Sequence, residues 1–290
     1  MSYCPCNLYI DEWFVRRKGL AFGLVWSASG FGGAVLPLCL EALLQRVGFA
    51  KTAQICAGIL FGVAAPLSFW IKPRLPYAAS RRSRPLDMRF AKSRVFVLYQ
   101  VANVVEATGY FLPAIYLPTY ARVTWGASSF LAALTTILVN VAATVGLVAM
   151  GSLSDALPVT TCMLVSACGV GASVFLAWGL ATSLSVLYVF CLLYGLFAGA
   201  WSAIWPGIMR EMVAGNAGAD PIMVQSHLCI GRGIGNVVSG PLSDALIGRG
   251  SWKGKGFAGY GSGFGLLIVY TGVTGLLSGV NFVLKKCKVL

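Results

Sequence analysis

Charge is what this sequence is short of. Only 11% of its 290 residues are Asp, Glu, Lys or Arg, less than half of the roughly 25% usual in soluble domains. Nine acidic residues and one histidine, His227, are all the chain carries. No Ser-His-Asp arrangement or metal-ligand spacing falls within reach of one membrane face, so neither an enzyme nor a cofactor is expected. The first ten residues, MSYCPCNLYI, lack the basic start and apolar core of a cleavable signal peptide. Gly254-Lys-Gly256-Phe-Ala-Gly259 fits a dinucleotide fingerprint in spelling only, because no βαβ unit surrounds it. The excess of 22 Lys/Arg, a net charge of +13, would suggest nucleic acid in a soluble protein. No basic soluble module carries it here, and nucleic-acid binding is excluded. Seven of the nine cysteines lie in or beside apolar segments, where cysteine behaves as a small hydrophobe.

What the chain has instead is apolar length. Hydrophobic residues make up 58%, with a mean hydropathy of +0.79. Spans need about 20 mostly apolar residues, and eight such stretches are present: 20–41, 53–71, 95–117, 129–150, 159–180, 184–207, 222–247 and 261–284. The fold class is therefore all-α, a polytopic membrane protein. Between the second and third spans, Lys72 to Arg94 packs eight Lys/Arg and three prolines into 23 residues. Cations near span ends resist translocation, which fixes this stretch on the cytoplasmic side. With that choice fifteen Lys/Arg fall on the cytoplasmic side and six on the other, and both termini are expected in the cytoplasm. The division runs 1–71, 72–94 as a basic linker, and 95–290.

Gly151-Ser-Leu-Ser-Asp-Ala-Leu157 recurs 89 residues later as Gly240-Pro-Leu-Ser-Asp-Ala-Leu246, matching at six of seven positions. The copies end spans three apart and so face opposite sides, as an inverted three-plus-three repeat would leave them. Chance is the competing explanation in a chain rich in Gly, Ser, Ala and Leu.

Glu12 to Gly23, EWFVRRKGLAFG, resembles the loop between the fourth and fifth helices of the monocarboxylate transporter family of the major facilitator superfamily. FLPAIYLPTYAR (Phe111 to Arg122), YGLFAGAWSAIWPGI (Tyr194 to Ile208) and GRGIGNVVSGPLS (Gly231 to Ser243) extend the similarity to the fungal branch. The resemblance implies twelve helices, of which this chain would hold the fifth to the twelfth: the end of the N-terminal half and the whole C-terminal half-bundle. The first four would be missing, as in a truncated gene model. Gly146-Leu147-Val-Ala-Met-Gly151 places leucine where relatives often have arginine, so their proton–carboxylate chemistry does not transfer. Asp155 keeps its place in the facilitator loop motif without the basic residues that usually follow, which weakens the gating role it would otherwise have.

Two full charges lie well inside spans, away from their ends: Glu106 and Arg232. Each costs about 2.5–3.5 kcal/mol or more at the bilayer centre, so each is expected to face the interior and have a partner. They are expected to pair or share a polar network, Arg232 holding an anionic substrate while Glu106 takes up a proton. A structural ion pair, or Arg232 snorkelling to the headgroups, is the alternative. Tyr194, Phe197, Trp201 and Trp205 recur on one helical face, and Tyr110, Phe197 and Trp201 are candidate substrate contacts with Asn140 and Asn236. The face could equally meet lipid or a neighbouring helix.

The expected function is secondary-active transport of a small organic metabolite, an anion if Arg232 binds it, by alternating access at the plasma membrane or an internal one. The expected partners are that small molecule, protons and the bilayer. A non-transporting fragment that assembles with or modulates a full-length transporter is the alternative from another class.

Overall fold

The computed structural model describes residues 7, 9–10, 12–14, 16–70, 88–215, 219–248, 252–254 and 256–287. Most of the basic linker, Arg249, Lys255, Lys288 and the Cys4–Cys6 pair fall outside them. The described residues are helical, with no strand among them.

Helix α1, Lys18–Trp70, has 53 residues. At 1.5 Å per residue it would be about 80 Å long, far more than the roughly 30 Å hydrocarbon core. Gly48 resolves this: its φ of 76° and ψ of 173° lie in a region open almost only to glycine. The break makes two spans of one run. Residues 35–70 lie almost entirely outside the packed bundle, with Phe49, Phe61, Phe69 and Trp70 all more than three-quarters exposed.

The remaining helices are α2 (Arg94–Trp125), α3 (Ser129–Ala156), α4 (Val159–Ala172, continued by a π-helical turn, Ser173–Trp178), α5 (Leu184–Ala198), α6 (Trp205–Gly215), α7 (Pro221–Gly248), α8 (Gly265–Leu277) and α9 (Val280–Lys286). Six stretches are long and apolar enough to cross a membrane on composition, α1 counting once. Helix α7 has the length, but Gln225, His227, Arg232 and Asn236 dilute its hydropathy. With α1 divided and α7 included, all eight expected spans are helical.

The boundaries shift for identifiable reasons. Helix α2 runs through Pro113 and Pro118 to a left-handed cap at Gly126, eight residues past the expected end. The single span expected over 184–207 is broken. Pro206 has no N–H for the Ser202 carbonyl, and the Trp205 N–H takes that carbonyl in a 3-10 turn, Trp201–Ile204.

Packing pairs the start of α1 with α3, α3 with α5, and α2 with both α7 and α8. Two apolar clusters result. One holds Phe22, Phe96, Trp201, Trp205 and Leu228; the other holds Leu112, Tyr120, Trp178, Phe190 and Leu267. Along α2, α4 and α8 a buried polar layer separates them, with Asn103, Glu106, Ser166, Thr271, Thr274 and Ser278 all under 9% exposed.

Candidate functional site

That polar layer is where the two intramembrane charges meet. Arg232 Nη1 of α7 donates to Glu106 Oε2 of α2 at 2.8 Å, the side chains 15% and 6% exposed. The Arg232 guanidinium also lies over the Tyr110 ring, 4.4 Å from its centroid, a favourable cation–π placement. Tyr110 is one turn from Glu106 on α2, and Tyr194 of α5 donates its hydroxyl to the Tyr110 carbonyl at 2.9 Å. Arg232 is thus held against two side chains of α2, and α5 braces the backbone of one of them.

Beside the pair is a cavity of about 10 Å³ bordered by Glu106, Tyr110, Tyr194, Thr271, Thr274 and Ser278, room for about one water. Thr271 Oγ1 is buried there without a hydrogen-bond partner among the described residues. Sequence reading passed over Thr271 and Thr274. Their only signal was a pair of hydroxyls three residues apart on a mostly apolar span that also carries Tyr270, Ser278 and Asn281.

The other expected contacts do not join this centre. Trp201 is 1% exposed, its Nε1 donating to Asn103 Oδ1 at 3.2 Å, while Asn103 Nδ2 donates to the Leu228 carbonyl at 2.8 Å. Asn103 therefore ties α2 to α7 and to the turn that carries Trp201. The ring of Phe197 packs where Gly169 of α4 leaves space. Asn140 donates to the Thr136 carbonyl at 3.0 Å on its own helix and lies against Gly33 of α1. Asn236, one turn beyond Arg232, has a buried Oδ1 with no partner among the described residues. Of the aromatic face expected over 194–205, Tyr194 belongs to one apolar cluster with Phe197 packed against it, and Trp201 and Trp205 belong to the other. His227 bonds the Met223 carbonyl at 2.8 Å and is packed edge-on by Phe90 and Phe96, a helix-end residue fixed by packing.

A second constellation lies at the end of α3. Asp155 accepts the Gly19 and Leu20 N–H groups at 2.8 and 2.9 Å, capping the first turn of α1, where the helix dipole favours an anion. Arg210 of α6 donates to the same carboxylate at 3.0 Å and to the Ser154 carbonyl. The partner missing from the residues after Asp155 thus arrives from 55 positions away. Gly19 and Gly151 make this approach possible, since a Cβ on either would land on the other's carbonyl. Nearby, Trp26 and Trp205 meet edge to face, centroids 5.2 Å apart.

The echo of this motif is built differently. Tyr116 of α2 bonds Ser243 at 2.9 Å and donates to Asp244 at 3.2 Å. Ser154 and Ser243 nonetheless each donate back to the first glycine carbonyl of their own copy, at 2.8 and 2.6 Å. The Asp155 contacts give a graded expectation. Asp155→Ala removes two N-terminal hydrogen bonds and should cost about 1–2 kcal/mol, whereas Arg210→Gln should cost under about 1 kcal/mol because that side chain is 41% exposed. Thermal melts of the two variants in detergent would show the order, and a larger loss for Arg210→Gln would contradict it.

The family model for the Major Facilitator Superfamily matches residues 2–235. The MFS-type transporter pytF of Aspergillus terreus is 36% identical over 158 residues, 54% of this chain and 53% of that protein. The MFS-type transporter hasB of Aspergillus fumigatus is 29% identical over 293 residues, 95% of this chain and 62% of its own. The Aspyridones efflux protein apdF of Emericella nidulans is 26% identical over 251 residues, 85% and 50%. The chain spans between half and two-thirds of the length of these relatives.

Proposed function

The chain belongs to the major facilitator superfamily, and from that premise we propose that it carries the substrate-handling part of a secondary-active exporter of a small organic acid. The observation that carries this reading is the buried Glu106–Arg232 pair beneath Tyr110, in the polar layer between two apolar clusters. A substrate carboxylate has the chemistry to replace Glu106 at the planar fork of Arg232. Glu106 would then be a buried carboxylate without its counter-ion, which a low-dielectric interior neutralises by protonation. Anion binding and proton uptake are coupled in this scheme, and the pair moves one acid without net charge. The name of apdF, an efflux protein for aspyridones, supports the outward direction and a metabolite as cargo.

Within this proposal Asp155 is a gate: its contacts to α1 and α6 close one end of the bundle and must part when that end opens. Residues 1–71 and 95–290 act as the two moving parts joined by the basic linker, around a mid-membrane site. The termini face the cytoplasm, and the plasma membrane is the expected location.

The test is flux from proteoliposomes loaded with a panel of labelled organic acids and their neutral amides. Acids should leave down an imposed pH gradient, and clamping the membrane potential should not alter the rate. Glu106→Gln should slow that flux about tenfold or more, the loss expected of a charged hydrogen bond. Faster movement of the amides, or flux insensitive to pH in the parent chain, would sink the acid–proton scheme.

A further inference from the structure

We propose that the cavity at the entrance to α1 is a seat for the headgroup of an anionic phospholipid. It measures about 740 Å³ and is bordered by Trp13, Phe14, Arg16, Arg17, Ser152 and Asp155, among others. That volume suits a ligand of headgroup size, within the roughly 300–1,000 Å³ typical of small-molecule sites, and is generous for a free phosphate ion. The position is a boundary: α1 begins at Lys18 and α3 ends at Ala156, so both helix ends open here. Trp13 and Phe14 are 56% and 50% exposed, and aromatic rings of this kind gather at the membrane interface.

Charge selects the occupant. Arg16 and Arg17 are exposed, and neither guanidinium has an ion-pair partner among the described residues. Asp155, the acid on the cavity wall, does not oppose an anion, because two N–H groups and Arg210 already compensate its carboxylate. Two cations without an ion-pair partner among the described residues, beside two interfacial aromatics, match a phosphodiester above a glycerol and its acyl chains. Basic pockets at membrane helix ends take anionic headgroups on this principle. The site is separate from the Glu106–Arg232 centre and does not depend on what that centre transports.

The purified chain in a neutral detergent would be titrated with dioctanoyl phosphatidylserine, with dioctanoyl phosphatidylcholine and with inorganic phosphate, following thermal stability. Phosphatidylserine should raise the melting temperature saturably, and the other two should not. The double variant Arg16→Gln/Arg17→Gln should bind phosphatidylserine roughly 30-fold more weakly, from the effect of each cation near an anionic surface. Both side chains are exposed, so the variant should fold as the parent does. Arg122→Gln, an exposed arginine at the opposite end of the bundle, should leave the response intact. An equal response to inorganic phosphate would assign the cavity to a free anion and overturn the lipid. An equal response to phosphatidylcholine, no response at all, or an unchanged response in the double variant would overturn it as well.

Discussion

Replacing Arg232 by methionine is expected to lower the stability of the bundle by about 3–5 kcal/mol, because it leaves Glu106 buried without a counter-charge. Glu106→Leu should cost a similar amount by stranding Arg232, whose guanidinium sits over Tyr110 rather than in water. The double variant should lose much less than the two single losses combined, since most of each penalty is the uncompensated partner and not the missing attraction. In a melt followed in detergent, either single change should lower the midpoint by on the order of 10 °C. Glu106→Gln is the milder probe, because its amide oxygen still accepts from Arg232. This series separates a structural role from a transport role. If Arg232→Met and Glu106→Leu melt close to the parent, the pair is not closed in the folded chain and the site has been misread. If the double variant is stable yet no longer moves substrate, the pair is needed for binding or coupling beyond packing.

The second large effect concerns the seam where α3 crosses α5. A Cβ at Gly146 would strike the Leu196 carbonyl, with the Leu196 carbonyl carbon at 2.9 Å and its Cα at 3.0 Å. A Cβ at Gly195 would strike the Val139 carbonyl and come within 2.8 Å of the Ala142 methyl. The obstructing atoms are backbone, so no side-chain rotation relieves the clash and the helices must separate. Small residues are what allow membrane helices this close. Gly146→Val should therefore cost about 3 kcal/mol, the upper end of ordinary overpacking. Most of the protein should then leave the monodisperse peak in size-exclusion chromatography. Gly233→Ala is the matched control. It is also a mid-helix glycine, but its Cβ enters open space, and it should be neutral or slightly stabilising. Similar behaviour of the two variants would refute the close crossing.

How far the sequence could be read follows from which signals are local. Span positions depend on apolar length alone, and all eight recur as helices. The Glu106–Arg232 pair was reachable because a charge deep in a span needs a partner and only two charges lay away from span ends. Breaks within helices were harder. The division of α1 was legible, since spans 20–41 and 53–71 were expected apart and Gly48 lies between them; the backbone angle that makes the break was not. Trp201 recurs on one face with Tyr194 and Phe197, but periodicity does not say whether that face meets substrate, lipid or a neighbouring helix. In the structure Trp201 is buried in the core, where Asn103 takes its N–H. Asp155 was legible as a motif residue, but Arg210 was not legible as its partner. Proximity between residues so far apart in the chain depends on how α6 folds back onto α3, and no local pattern encodes that.

The edge-on meeting of Trp26 and Trp205 carries one more consequence. The two indoles belong to α1 and α6 and lie 5.2 Å apart, on the same side of the molecule as the Asp155 contacts. Indole emission responds to neighbouring rings and to water at such distances, so separating these helices would change the colour and yield of the light the chain emits. With eight tryptophans in all, the signal from this pair would be isolated by replacing either ring with phenylalanine and taking the difference. The chain thus contains its own optical gauge of whether that end of the bundle is shut, readable without a label.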